Sequence, residues 1–364
     1  MAWVSATYLL AARKEEVKKR ADALALEQSV EMPLEAVSDP KIRETIVARV
    51  AAIEPFDADR FRVTLQLATA TTGEDVTQLT NMLFGNCSLQ DDVELDSVEF
   101  PASLLERFGG PRYGIAGLRE LIGAPSRPLT CTALKPQGSS PETLAALCET
   151  FGLAGIDVIK DDHGIADQSY APFAQRARAC QAAAERACSA TGKPVIYAPS
   201  LVGSPRKIFE NAKVARECGI RAVLLAPMLI GLGSFAEFVA EFGEFAILAH
   251  PAFGGASRIS PAWLFGKFFR LLGADATIYP NYGGRFAYSS DVCRALAEAA
   301  REPWGSIRPT MPVPAGGMSV ERVPELLEFY GPDVMLLIGG SLLSAGEQLA
   351  ERSRSFVRAV GGGV

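Results

Sequence analysis

From about residue 130 onward the chain repeats one pattern eight times: a short β-rich apolar run ends in polar or glycine residues, and a longer amphipathic stretch follows. The runs are TCTALKP (130–136), DVIKDDH (157–163), VIYAPS (195–200), AVLLAPM (222–228), AILAHPA (246–252), ATIYPN (276–281), TMPVPAGG (310–317) and VMLLIGG (334–340). Their starts lie 24 to 38 residues apart, room for a strand, a helix and two loops. The stretches between them carry helix punctuation. In SSPETLAALCETFG, Ser140 is placed to cap, Pro141 to open and Gly152 to stop a helix; Ser204, Pro205 and Gly219 repeat that grammar.

Eight equal strand–helix units match a closed (β/α)8 TIM barrel in count and length, whereas an open doubly wound sheet seldom needs so many. The first 125 residues differ. A strand (WVSATYLL) leads to a charged helix (KEEVKKRADALALEQ), two strands (IRETIVARV and FRVTLQLAT) and a helix (GEDVTQLTNMLFG). This order predicts a small α+β N-terminal domain over 1–125 and a barrel domain over 126–364, with Gly109-Gly110-Pro111 and GAPSRP (123–128) marking the approach.

A net charge of −6 argues against broad attraction to nucleic acid or anionic lipid. The basic cluster from Arg13 to Arg20 alternates with Glu15 and Glu16, as on a solvated helix face. Seven cysteines without CxxC spacing suit reduced thiols used as small apolar residues. With no basic segment before the first apolar run, and no apolar stretch long enough to span a bilayer, we expect a cytoplasmic protein.

Barrel active sites lie at the C-terminal ends of the strands. Those ends hold Lys135, Lys160, Asp162, His163, His250, Tyr279 and the pairs Gly316-Gly317 and Gly339-Gly340. Lysine at the tip of a buried strand is desolvated, which frees its amine for proton transfer or covalent work. One such lysine is ordinarily a side chain reaching for solvent; two on consecutive strands point to function. Alternation puts Lys160 and Asp162 on one face and Asp161 on the other. Mg²⁺ takes oxygen ligands, which lysine supplies only if CO2 converts its amine to a carbamate. The chain's two histidines both fall at strand ends, which favours acid/base service for His250. The glycine pairs sit where the loops after the last two strands of a barrel commonly hold phosphate on backbone N–H groups.

ALKPQG followed by GIDVIKDDHG resembles the first two strand signatures of the ribulose bisphosphate carboxylase large subunit. LAHPAFGG, VPAGGM and LLIGGSL follow in family order, so nearly the whole chain looks like that subunit. The resemblance implies a ferredoxin-like N-terminal domain ahead of the barrel. It implies that Lys135 does acid/base chemistry on an enediol, that Lys160 is carbamylated and that Asp162 binds Mg²⁺. His250 would match the strand-five histidine, and the glycine pairs one phosphate site. Glu27 and Asn86, in LEQSV and FGNCS, resemble residues that complete the active site of a partner subunit, which implies a homodimer with shared sites.

The departures bear on activity. The metal motif of the family ends in glutamate, where this chain has His163, and its second strand-one lysine is Gln137. Pro251 stands where a carboxylase has an arginine binding the second phosphate, and Gly254 where it has another histidine. The YPNYGGRF loop has no evident counterpart of the lysine that polarises CO2, and Ala315 replaces a serine. Each loss removes a group that holds the second phosphate or stabilises the carboxylated intermediate. The chain therefore resembles the RuBisCO-like proteins, form IV-type homologues of the large subunit that do not carboxylate. His163 is a softer ligand than Mg²⁺ prefers. KDDH is nonetheless expected to be a Mg²⁺ site of Lys160, Asp162 and His163; either His163 turns away and water takes its place, or a metal such as Mn²⁺ or Zn²⁺ binds, or the site is metal-free.

The expected reaction is proton abstraction beside a carbonyl of a singly phosphorylated sugar or sugar acid, giving a metal-stabilised enediolate. Isomerase or enolase chemistry, of the methionine-salvage kind or in related carbohydrate catabolism, ranks ahead of a decarboxylase, transcarboxylase or hydrolase acting on a 3-oxo sugar-acid phosphate. A metal-free Schiff-base aldolase on Lys135 or Lys160 and a non-catalytic regulator are the remaining alternatives.

Overall fold

The computed structural model describes residues 2–72 and 75–361. Two compact units divide the chain: residues 1–108 with 253–264, and residues 109–252 with 265–364. The helix Gly114–Ile122, on the N-terminal side of position 125, thus goes with the barrel. It is tied there by Asp275, whose carboxylate accepts hydrogen bonds from the N–H groups of Tyr113 (2.7 Å), Gly114 (2.8 Å) and Ile247 (2.8 Å).

The smaller unit holds an antiparallel sheet of β1 (Trp3–Ala11), β2 (Arg49–Pro55), β3 (Arg60–Ala68) and β4 (Val93–Glu99), ordered β2-β3-β1-β4. Along β1, Val4, Ala6, Tyr8 and Leu10 are fully buried while Trp3, Ser5 and Thr7 are half-exposed, so one face is covered. Two corrections to the sequence reading arise here. IRETIVARV is not one strand: Asp39 caps and Pro40 opens a helix over Pro40–Thr45, and β2 begins only at Arg49. The strand β4 was not anticipated at all. The expected helix of GEDVTQLTNMLFG runs Val76–Phe84 behind an Asp75 cap; Gly73 and Glu74 lie outside the described residues.

All eight expected barrel strands are present in the larger unit, in order β5 (Leu129–Leu134), β6 (Val158–Asp161), β7 (Ile196–Ala198), β8 (Ala222–Leu225), β9 (Ala246–Ala249), β10 (Ala276–Pro280), β11 (Met311–Ala315) and β12 (Met335–Leu337). Parallel ladders run β12-β5-β6-β7 and β11-β10-β9-β8. The parallel bridge Ser200–Leu224 joins β7 to β8, and β11 lies beside β12, closing the ring. Cys131, Val158, Ala198, Leu224, Leu248, Ile278, Val313 and Leu337 fill its interior, one from each strand.

Ser140 and Ser204 cap their helices as expected, accepting from the N–H groups of Thr143 and Lys207, and Gly219 takes the left-handed conformation past the second helix. Gly152 is not the stop. It lies inside the helix Pro141–Leu153, where a Cβ would come within 2.6 Å of the Ala187 Cβ, so its role is close approach to the helix Phe173–Thr191. The turn instead uses Gly155, at φ +90°. All seven cysteines are free thiols. Among the described residues no helix is long and apolar enough to cross a membrane.

Candidate active site

The interior pattern of the barrel decides which side chains reach its C-terminal mouth. A strand repeats every two residues, so Lys135 shares the inward face with Cys131, Lys160 and Asp162 with Val158, and His250 with Leu248. The structure brings these four together with His163. Lys135 Nζ donates to Asp162 Oδ1 at 2.5 Å. His163 Nδ1 lies 3.7 Å from that same oxygen, and its ring stacks on His250 with centroids 4.3 Å apart and planes 13° from parallel. His250 Nδ1 accepts the Ala252 N–H at 3.1 Å, which fixes the ring from behind. Lys160, only 3% exposed, donates from Nζ to the backbone oxygen of Asp161 at 3.0 Å.

The electrostatics follow from this placement. Burial lowers the Lys160 amine, so its neutral form is favoured over that of a free lysine. Burial, then the charge of Lys160 and the neighbouring His163, push His250 down to about 2, leaving it a neutral imidazole. Burial by itself would raise the Asp162 carboxyl. The nearby His163 ring and the hydrogen bond from Lys135, with the charges of Lys135 and Lys160, outweigh it and hold the group well below the carboxylate range. The mouth therefore combines an ionised carboxylate with a lysine on it, a second lysine disposed to be neutral and a neutral histidine. Such a set can move a proton to and from carbon.

Divalent metal would need three donors. Asp162 supplies oxygen and His163 nitrogen; Lys160 as an amine is no ligand for Mg²⁺. Among the described residues no three His, Cys, Asp or Glu side chains are disposed to hold a metal ion. The residues fit a divalent cation once Lys160 carries a carbamate, a reaction that requires the neutral amine which burial favours.

The glycine pairs lie at the same end of the barrel. Gly316 and Gly317 have φ of +87° and +91°, and a Cβ on Gly317 would meet the Arg285 nitrogen at 2.8 Å. Glycine is required there by both conformation and crowding. Gly339 faces β5, with its Cβ direction 3.7 Å from Ala133 Cβ, and begins a short turn of helix over Gly340–Leu343. In the smaller unit Asn86 Nδ2 donates to Glu27 Oε1 at 3.0 Å, and the pair lines a polar depression with Ser29 and Gln78.

Asp161 turns outward, as strand alternation predicts, and takes no part in the mouth. It is fully buried, and so is its partner Arg176, whose Nε donates to Asp161 Oδ2 at 2.9 Å. The helix Phe173–Thr191 carries three arginines, Arg176, Arg178 and Arg186, and nothing in the sequence separates the one that meets Asp161.

A (β/α)8 barrel with two lysines, an aspartate and a histidine on the inward face of its first, second and fifth strands is the catalytic barrel of a known family. Residues 114–348 match the family model of the ribulose bisphosphate carboxylase large chain, catalytic domain, and the chain belongs to that family. Within it, the chain is 52% identical over 354 residues to ribulose bisphosphate carboxylase-like protein 1 of Rhodopseudomonas palustris, covering 97% of this chain and 96% of that protein. It is 51% identical over 358 residues to the 5-methylthioribulose-1-phosphate isomerase of Rhodospirillum rubrum, covering 98% and 96%. The crystal structure of a Rubisco-like protein from Rhodopseudomonas palustris superposes with a TM-score of 0.93 at 48% identity, covering 99% of this chain and 98% of that one.

Proposed function

We propose that this protein is a non-carboxylating isomerase of the enolising type, acting on a singly phosphorylated ketose related to 5-methylthioribulose 1-phosphate. The observation that carries the reading is the Lys135–Asp162 contact at the barrel mouth, beside a buried Lys160 and a neutral His250. The name of the Rhodospirillum rubrum relative supports the substrate class.

In this reading the phosphate lies against the backbone at Gly316-Gly317 and Gly339-Gly340, where no side chain keeps the anion away. The ketone then faces Lys135 and Lys160. A C–H bond beside the carbonyl breaks, its proton passes to a basic nitrogen of this cluster, and the electron pair becomes the enediolate. Return of a proton to the former carbonyl carbon, with the hydroxyl proton passing from one oxygen of the enediolate to the other, completes the isomerisation. Lys135 is the residue assigned to this transfer: the Asp162 contact holds it at the mouth, and it takes the substrate proton after giving up its own to solvent. His250 stays a neutral imidazole able to donate to or accept from a substrate oxygen. Lys160 as a carbamate, with Asp162 and His163, would hold a divalent cation, which when bound supplies Lewis-acid polarisation of the carbonyl. Glu27 and Asn86 would complete the site of a partner subunit, so the working unit is at least a homodimer.

The test is solvent deuterium entering the carbon beside the carbonyl of such a ketose phosphate during turnover. No incorporation, with product formed, would remove the enediolate from the reaction. One observation favours a second reading: a buried lysine with a lowered pKa is suited to a Schiff base. Borohydride with substrate would then trap Lys160 irreversibly.

A further inference from the structure

Behind the catalytic face of β6 lies a second, wholly buried polar cluster to which the proposed chemistry assigns nothing. Asp161 points away from the barrel interior, between Lys160 and Asp162 in sequence. Its carboxylate accepts from Arg176 Nε at 2.9 Å, from the Tyr197 hydroxyl at 2.9 Å and from the Ser200 N–H at 3.0 Å. Arg176 spends its remaining donors on the following loop, giving hydrogen bonds to the carbonyls of Ala171 and Ala166, each at 2.7 Å. Both Asp161 and Arg176 have no exposed side-chain surface.

A stable strand end does not require this. On β10 the outward hydroxyl of Thr277 is buried with no hydrogen-bond partner, and so is that of Thr132 on β5, so the outer layer of this barrel accommodates a polar atom without such a network. A buried ion pair is in general weak evidence for stability, since desolvation opposes the attraction. Here the contacts converge on one point. They hold the end of β6, the end of β7 through Ser200, and the loop after Asp162 through Arg176. The backbone oxygen that receives Lys160 Nζ belongs to the same Asp161.

We infer that the Asp161–Arg176–Tyr197 network is the positioning device of the active site, fixing the β6 terminus so that Lys160 and Asp162 keep their places on its inner face. The inference rests on the proposed enolisation for its kinetic consequence, but its structural consequence is independent of any substrate. Asp161, Arg176 and Tyr197 are positioning residues, acting through their neighbours. Sub-ångström displacement of reacting groups lowers the rate without weakening substrate binding, because the phosphate contacts lie on other strands.

The experiment compares the wild-type protein with Tyr197→Phe, Arg176→Lys and, as an outer-layer control, Thr277→Val. Two readouts are taken. Turnover of a methylthio-substituted ketose 1-phosphate gives kcat and KM separately. Labelling of Lys160 relative to Lys135 by an amine-reactive reagent, resolved by peptide mass spectrometry without substrate, reports the seat of Lys160. We expect kcat to fall about 10- to 100-fold in Tyr197→Phe and Arg176→Lys with KM held, labelling of Lys160 to rise relative to Lys135, and Thr277→Val to match the wild type in both. Should Arg176→Lys fail to fold, Tyr197→Phe decides, since it removes a single oxygen atom. Unchanged kcat and unchanged labelling in Tyr197→Phe would overturn the inference, as would equal losses in Thr277→Val. A wild-type protein that turns over no such ketose phosphate overturns the proposed reaction alone, and the labelling comparison still judges the network.

Discussion

Lys135 Nζ rests on Asp162 Oδ1 at 2.5 Å, bridging the ends of β5 and β6 across the barrel mouth. The contact does two things: it holds the lysine where a substrate carbon can lie, and it helps to keep the carboxylate ionised. Lys135→Met should therefore suppress solvent deuterium exchange into the substrate by about 10²-fold or more, the usual scale of a lost proton-transfer group. Exchange at the wild-type rate would remove Lys135 from the reaction.

The same contact has a pH consequence. The Asp162 carboxyl titrates below the ordinary carboxylate range in the folded chain, so this contribution to stability is complete above that range and is lost as pH falls through the depressed value. Removing the Lys135 charge raises the Asp162 pKa towards normal. Urea-unfolding midpoints measured against pH should show a smaller acid-side loss in Lys135→Met than in the wild type. Parallel curves would mean that the ion pair contributes nothing to the folded state.

His250 makes a second and separable pH prediction. Its imidazole is held neutral, with a folded-state pKa of about 2 against an ordinary 6.5. The unfolded chain thus binds a proton that the folded chain refuses. Stability from this group is fully present above pH 6.5 and declines as pH falls from 6.5 towards 2. His250→Gln should flatten the stability profile in that window and leave it unchanged above. A variant whose profile falls as steeply as the wild type's would show that His250 charges freely in the fold.

Much of this was legible in the chain, for identifiable reasons. The barrel showed because each strand lies in a short apolar run bounded by polar or glycine signals, and the helices between them carry caps such as Ser140-Pro141 and Ser204-Pro205. Lys160 and Asp162 could be placed on one face because strand alternation is strict, and Lys135 and His250 at the active end because their apolar runs stop there. What failed was local competition. Ile42–Thr45 have strand-compatible residues, but the Asp39 cap and Pro40 start the helix first. Gly152 looked like a helix stop because a helix glycine that permits another helix to approach carries no different sequence mark. The Asp161–Arg176 pair was hidden because its meaning depends on which helix residue faces the back of β6, a tertiary fact.

The metal reading makes its own demand on Lys160. If a carbamate on that nitrogen supplies the missing oxygen ligand, activity should depend on both CO2 and a divalent cation, and Lys160→Ala should abolish both dependences. Full activity in EDTA without bicarbonate would rule out the carbamate. Assays across the two variables, at fixed substrate, separate this outcome from simple loss of the lysine as a base.

Assembly and substrate choice are the last linked expectation. Glu27 and Asn86 are hydrogen-bonded to each other in a polar depression, an arrangement that spends no catalytic capacity of the barrel itself. If they complete a partner's site, light scattering should find at least a dimer at assay concentration, and an active monomer would count decisively against the shared site. On the barrel, the loop after His250 runs Pro251-Ala252 with no charge to hold a second phosphate. Ribulose bisphosphate should therefore bind poorly and take up no labelled CO2, while a ketose with one phosphate exchanges its proton. Equal binding of the two phosphorylation states would show that the chain keeps a second anion site. Measurable carboxylation would go further, because it would mean that CO2 is polarised without the loop lysine that YPNYGGRF lacks.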